Sequence, residues 1–224
     1  WWSFTSNFAT LASDEFQALD LSNNTVGKVR IEAKKLLRLI INSEFAMSTE
    51  ETRYNLNGIF LSSSNNGELN AAAIDGHRLA TVTEKISDNL NFGIILPRKT
   101  VFEIIKILKD SQYSEEQCVI EFDNSKISFS MKNMVMLSKL VDAAFPDYKS
   151  LIPSTHLNKL SIHSKKLLDA VDRVSTITHD KFRAIKFAIS KDELEISAFG
   201  ETKGSAKESL LNTDENQNFL YEGN

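Results

Sequence analysis

The sequence holds a single cysteine, Cys118, among 224 residues, so no internal disulfide can form, and a reducing, cytoplasmic setting is expected. Cys118 precedes Val119 and Ile120 in an apolar run and reads as a buried core residue, not a reactive thiol. Glycine is scarce, at 8 residues, which leaves little material for a phosphate-cradling loop. No stretch approaches the ~18 consecutive apolar residues of a membrane span. The opening Trp1-Trp2-Ser3-Phe4 lacks the basic start and apolar centre of a signal peptide, and no membrane partner is expected. Asp75-Gly76-His77 suggests acid–base chemistry, but no His/Cys cluster or partnered nucleophile accompanies it. A non-enzyme with no metal and no cofactor is expected. The formal charge of −4 excludes a protein coated all over in positive charge, but not one with a local basic surface.

What the chain does have is internal similarity. Val29-Arg-Ile-Glu-Ala-Lys-Lys-Leu-Leu37 matches Leu160-Ser-Ile-His-Ser-Lys-Lys-Leu-Leu168, 131 residues on. The stretch 53–62 resembles 181–190, and Glu68-Leu-Asn-Ala-Ala-Ala73 resembles Glu193-Leu-Glu-Ile-Ser-Ala198, in the same order. Two related domains would give this pattern. A half-period lies inside it, because Ile94-Ile-Leu-Pro-Arg-Lys-Thr-Val-Phe102 also runs from a strand into a helix. The helix-opening lysines Lys34, Lys99 and Lys165 are then spaced by 65 and 66. Chance similarity among strand-to-helix junctions is the alternative for the half-period.

Helical stripes are expected at Leu36, Leu37, Ile40 and Ile41, at Val101, Ile104, Ile105 and Leu108, and at Leu167, Leu168, Val171 and Val174. Short alternating runs at 58–62, 69–74, 118–122, 127–131, 135–140, 187–189 and 194–198 read as strands. Asn65-Asn66-Gly67 and Asp123-Asn124-Ser125 read as hairpin turns. Few helices among many hairpin-linked strands predict an α+β fold with antiparallel sheets. Pro146 and Pro153 bracket an aperiodic linker candidate at 147–152. The expected division is a tail of one domain in 1–22, a complete domain in 23–153 and an incomplete one in 154–224. Both ends are abrupt, so a fragment is expected.

Away from the apolar stripes the helices are basic. The first carries Lys34, Lys35 and Arg38, the second Arg98, Lys99, Lys106 and Lys109, the third Lys165, Lys166 and Arg173. Such faces on equivalent helices suit phosphate contacts that read no bases. Taken one at a time, each is also an ordinary solvated helix face.

The chain is similar to the bacterial beta sliding clamp family, the beta subunit of DNA polymerase III. The resemblance rests on Phe45-Ala-Met-Ser-Thr-Glu-Glu-Thr-Arg-Tyr-Asn-Leu-Asn-Gly58, Ala73-Ile-Asp-Gly-His-Arg-Leu-Ala80 and Ile95-Leu-Pro-Arg-Lys99. It rests also on Ser138-Lys-Leu-Val-Asp142, Phe145-Pro-Asp-Tyr148 and Lys181-Phe-Arg183, while Phe8-Ala-Thr-Leu11 with Phe16 resembles the end of the family's first domain. It implies a DNA-clamp fold of repeated domains, with helices on the inner face and antiparallel sheets outside. It also implies a head-to-tail homodimeric ring around duplex DNA that tethers the replicative polymerase, a processivity factor. Implied partners are the polymerase alpha subunit, the clamp loader and other proteins that carry a short clamp-binding peptide. A protein-interaction module without DNA encirclement is the alternative.

The resemblance also implies roles for residues. DNA contacts fall on Lys34, Lys35, Arg38, Arg53, Tyr54, Arg98, Lys99, Lys165 and Lys166. The partner-peptide pocket, between second and third domains in the family, falls on Leu56, Ile74, Gly76, His77, Arg78, Leu79, Pro146, Ser150 and Leu151. Chemically, Leu56, Leu79, Pro146 and Leu151 suit Leu or Phe anchors. The plain alternative is a hairpin turn at Gly76-His77 and a surface ion pair for Arg53 with Glu50 or Glu51. The chain departs from the family at Ile74, often Thr, at Ser150, commonly Arg, at Asn55, frequently a second Tyr, and at Glu50, otherwise a neutral polar residue. Glu50 beside phosphate is unfavourable.

Overall fold

The computed structural model describes residues 3–10, 12, 25–154, 160–178, 184–190, 193–200, 204–211 and 221–223. Leu11, Phe16 and Lys181-Phe182-Arg183, which carry part of the family resemblance, lie outside them. The chain divides into two compact units, Trp1–Leu151 and Ile152–Asn224.

In the first unit one order of elements occurs twice. Strand β1 (Gly27–Glu32) runs into helix α1 (Ala33–Ile41) and is followed by β2 (Gly58–Ser64), β3 (Glu68–Ile74) and β4 (Leu79–Lys85). Strand β5 (Asn91–Pro97) runs into α2 (Arg98–Leu108) and is followed by β6 (Gln117–Phe122), β7 (Lys126–Met131) and β8 (Met134–Lys139). The half-period in the sequence is therefore a structural repeat. The strands form two antiparallel sheets in the orders β1-β6-β7-β8 and β4-β3-β2-β5. Each sheet takes three strands from one copy and its fourth from the other. β1 pairs with β6 from Gly27↔Phe122 to Glu32↔Gln117, and β5 pairs with β2 from Gly58↔Pro97 to Ser64↔Asn91.

This exchange makes one core. Leu36, Leu39 and Ile40 from α1 and Val101, Ile104 and Leu108 from α2 are buried in one cluster with Ile59, Leu61, Ile120 and Phe129 from both sheets. Burial of each such side chain contributes about 1.5–3 kcal/mol. The stripe on α2 matches its expected positions, whereas α1 buries Ala33 and Leu39 and leaves Leu37 and Ile41 half-buried. The turns are local chemistry. Asn65 and Gly67 take positive φ of 55° and 69°, and the Asp123 carboxylate accepts from the Ser125 and Lys126 amides, both at 2.7 Å. Cys118 is fully buried, and burial pushes its thiol up to about 12 against an opposing hydrogen bond from the Ser130 backbone. A thiol held protonated in this way is inert at neutral pH.

The second unit contains α3 (Ser164–Ser175) and strands β9 (Lys186–Ile189), β10 (Glu193–Phe199), β11 (Ser205–Leu211) and β12 (Tyr221–Gly223). Its sheet runs β11-β10-β9-β12, the same plan as β4-β3-β2-β5. Ala170 and Val174 bury against Leu194, Ile196 and Ala198. Two expectations fail here. Residues 160–163 match β1 in sequence but form no strand, because the strand that β1 finds in β6 has no counterpart among the described residues. Leu168 is exposed, and Ala170 takes the buried position. No helix among the described residues is long and apolar enough to cross a membrane.

Candidate functional site

Basic side chains cluster at the starts of α1, α2 and α3, the three α-helices among the described residues. Lys34-Lys35, Arg98-Lys99 and Lys165-Lys166 occupy first turns that contain no acidic residue and whose N-cap side chains accept no hydrogen bond from the free backbone amides of the turn. Cations there oppose the helix dipole, at a cost of about 0.3–1 kcal/mol each. Proteins break such local rules mainly where function requires it.

The cations differ in how far their charge is already matched. Lys34 lies 3.4 Å from Glu115 and 3.7 Å from Glu32, and Lys35 lies 2.5 Å from Glu32. The Lys35 hydrogen bond, and then the charges of Lys35 and Lys34, hold the Glu32 carboxyl below the usual range against a smaller opposing effect of desolvation. Arg38 pairs with Glu84 and donates to the Thr83 carbonyl at 3.1 Å. Arg98 donates to the Ser48 carbonyl at 3.3 Å and sits 5.3 Å over the Phe102 ring. Lys99, Lys165 and Lys166 are exposed and have no ion-pair partner among the described residues. Arg173 on α3 is held by Glu208 through two bonds of 2.9 and 2.6 Å.

The second group of expected residues lies on a turn and a strap of the first unit. Asp75-Gly76-His77-Arg78 joins β3 to β4, with Ile74 opposite Leu79 in register and both half-buried. The turn is built around Asp75, whose Oδ1 accepts from the His77 amide at 2.9 Å and the Arg78 amide at 3.0 Å. Its Oδ2 accepts from Arg78 Nε at 2.9 Å. The His77 amide, then the Arg78 amide and guanidinium, hold the Asp75 carboxyl below the usual Asp range against the partial burial that opposes them. The Arg78 guanidinium lies 5.7 Å over the Phe45 ring, so its cation is shared between a carboxylate and an aromatic face. Beside it lies a recess of about 140 Å³ lined by Met47, Ser48, Thr49, Glu50, Asp75, His77 and Arg78.

The strap is residues 141–151. The Val141 amide donates to Ile95 on β5 at 3.1 Å, and Phe145 stacks on Phe60 with centroids 4.7 Å apart and planes within 3°. Tyr148 is buried edge-on to both rings. These contacts leave Pro146, Ser150 and Leu151 exposed, with the Ser150 hydroxyl turned back onto the Asp147 carbonyl at 2.7 Å. A groove of about 380 Å³ beside the strap is floored by Ser62, Gly93 and Asn91. Between turn and strap runs the 3-10 segment Glu51–Leu56. Leu56 is buried and its carbonyl accepts from the Ser48 amide at 3.0 Å. Tyr54 is exposed. Arg53 pairs with Glu50 at 3.0 Å, the surface ion pair weighed for it. Sequence reasoning passed over Asp75 and Phe45 as parts of this site. An Asp that precedes Gly and lies three residues before Arg is an Asx-turn signal that points to Asp75, but nothing local points to Phe45.

Gly76 takes φ of +94°, and a Cβ built there would lie 2.8 Å from Arg53 Nη1. Gly76→Ala is therefore expected to destabilise the first unit by about 1–2 kcal/mol through the left-handed backbone alone, read as a lower urea midpoint.

Residues 30–147 match the family description "DNA polymerase III beta subunit, central domain", and residues 149–220 match "DNA polymerase III beta subunit, C-terminal domain". The beta sliding clamp of Rickettsia bellii is 42% identical over 223 residues, covering 97% of this chain and 58% of the relative. That of Caulobacter vibrioides is 32% identical over 209 residues, covering 91% of this chain and 55% of the relative. Among solved structures, the C. crescentus beta sliding clamp superposes with a TM-score of 0.84 at 30% identity, covering 95% of this chain and 57% of that one. The Bartonella birtlesii sliding clamp bound to griselimycin superposes with a TM-score of 0.82 at 36% identity over the same shares. The chain thus spans a little over half the length of the relatives it matches. The expected α+β DNA-clamp fold, with its helices and antiparallel sheets, is the fold of these clamps. The sliding-clamp family is one of non-enzymatic processivity factors, and this chain belongs to that family, the DNA polymerase III beta subunits.

Proposed function

We propose that the chain is the central and C-terminal part of a ring-shaped clamp that encircles duplex DNA and tethers the replicative polymerase and other partners. On this reading 1–22 end a first domain, 23–153 form a complete second domain and 154–224 form part of a third. The observation that carries the reading is the recurrence of a cation pair at the uncapped start of three equivalent helices. Lysine is a flexible point charge, and contacts of this kind hold phosphate without fixing register. A closed ring needs only such weak contacts, because topology retains it. A tethered polymerase then acts at a raised effective concentration. Head-to-tail interfaces close by rotation into a homodimer.

On this reading Ile74, Leu79, Pro146 and Leu151, together with the buried Leu56, supply the apolar contacts for the Leu or Phe anchors of short partner peptides, such as segments of the polymerase alpha subunit or the clamp loader. The 75–78 turn forms its polar rim.

The test uses the subunit extended to the length of its relatives and loaded on nicked circular DNA. It is expected to elute with circular DNA through gel filtration and to be lost once the circle is cut. Equal loss from both forms would sink the encirclement.

A further inference from the structure

The segment 51–56 was expected to face DNA through Arg53 and Tyr54, yet two of its side chains turn towards the peptide surface. Arg53 Nη1 donates to the Asp75 carbonyl at 3.5 Å, while Nε pairs with Glu50 at 3.0 Å. The guanidinium passes close enough to Gly76 that a Cβ there would lie 2.8 Å from Nη1 and push the guanidinium end aside. Asn55 Nδ2 donates to the Ala144 carbonyl at 3.3 Å, two residues before Pro146. One short segment, which kinks at Arg53, thus reaches both walls of the apolar surface: Arg53 contacts the 75–78 turn and Asn55 the 141–151 strap.

From these contacts we infer that Arg53 and Asn55 are positioning residues of the peptide surface, setting the spacing between the Gly76 turn and the Pro146 strap. The inference rests on the peptide-binding reading above. Each wall has its own internal support, Asp75 for the turn and the Phe60–Phe145 stack for the strap. Neither support reaches across. The cross-links are Arg53 and Asn55, and both are anchored on a segment that is itself fixed: the Asn57 side chain donates to the Glu50 carbonyl at 3.0 Å and the Arg53 amide to the same carbonyl at 3.1 Å. Glu50 therefore does more than oppose phosphate. Its carboxylate orients the Arg53 guanidinium so that Nη1 meets the turn. A peptide whose anchors span turn and strap gains from walls already at the right separation, because preorganisation removes an ordering cost from binding.

The test is fluorescence-polarisation titration of the whole chain with a labelled pentapeptide, Ala-Leu-Ser-Leu-Phe. Arg53→Ala and Asn55→Asp are compared with the native chain and with the remote variant Lys28→Ala. Asp has the shape of Asn but cannot donate to the Ala144 carbonyl. Each of the two site variants is expected to weaken binding about threefold to tenfold, the equivalent of one lost hydrogen bond, with Lys28→Ala unchanged. Arg53→Lys keeps a donor and a positive charge and is expected to recover part of the loss, which a merely space-filling role would not predict. In the same samples the Gly76 amide resonance is expected to shift in Arg53→Ala and to stay in place in Asn55→Asp. Native-like binding by both site variants would overturn the positioning role and leave the peptide reading intact. No binding by the native chain would overturn both.

Discussion

Replacing Lys99, Lys165 and Lys166 together by alanine is expected to lower affinity for a duplex oligonucleotide roughly a hundredfold or more, and to flatten the dependence of log K on log salt by about three units. The same triple substitution at Lys34, Lys35 and Arg38 is expected to do distinctly less. Both sets lie on equivalent helices, but the first three cations have no ion-pair partner among the described residues, whereas Lys34 and Lys35 share Glu32, Lys34 also reaches Glu115, and Arg38 holds Glu84. A phosphate that approaches a paired lysine must displace a carboxylate that stays nearby, and the local field it meets is close to neutral. Exposed pairs are individually worth at most about 1 kcal/mol, so the paired set still contributes, only less per residue. The measurement is fluorescence anisotropy across a salt series. An unchanged slope in the Lys99, Lys165 and Lys166 variant would remove these residues from the DNA surface, and equal effects of the two sets would show that the carboxylates give way freely.

The helices were legible because their apolar spacing is a local property, and Val101, Ile104, Ile105 and Leu108 on α2 bury as the spacing requires. The paired half-repeats were legible from the strand-to-helix junctions. What could not be read was which strand joins which sheet, since the exchange of β1 and β5 depends on partners more than twenty residues away. The strand β11 was passed over because Ser-Ala-Lys-Glu-Ser-Leu-Leu carries little β preference of its own, and its conformation comes from pairing along β10. Leu168 shows the same dependence on neighbours. Its counterpart Leu37 is half-buried on the shared core of a unit in which α1 packs against α2, whereas no second helix accompanies α3 among the described residues. In the candidate site the residue types were legible and their directions were not. Arg53 meets a carbonyl 22 residues on and Asn55 one 89 residues on. No local pattern encodes either contact, and so a loop that resembles a DNA contact also braces a protein surface.

Phe129→Ala is expected to destabilise the first unit by about 3–5 kcal/mol, a large share of the 5–15 kcal/mol typical of a whole domain. Phe129 is fully buried on β7, a central strand, between Ile120 on β6 and Met136 on β8. It belongs to one cluster that takes in both helices and both sheets, and truncation leaves a cavity that such a core cannot close. The consequence extends beyond the sheet that loses the ring. That sheet contains β1 from the other copy, and the other sheet contains β5 from this one, so neither can come apart without stripping a strand from its neighbour. The first unit should therefore unfold in a single urea transition with a lower midpoint and an unchanged slope. Val135→Ala, one strand away but 72% exposed, should leave that midpoint where it was. A two-step curve for Phe129→Ala, with one sheet surviving the loss of the other, would mean that strand exchange does not bind the two copies into one folding unit.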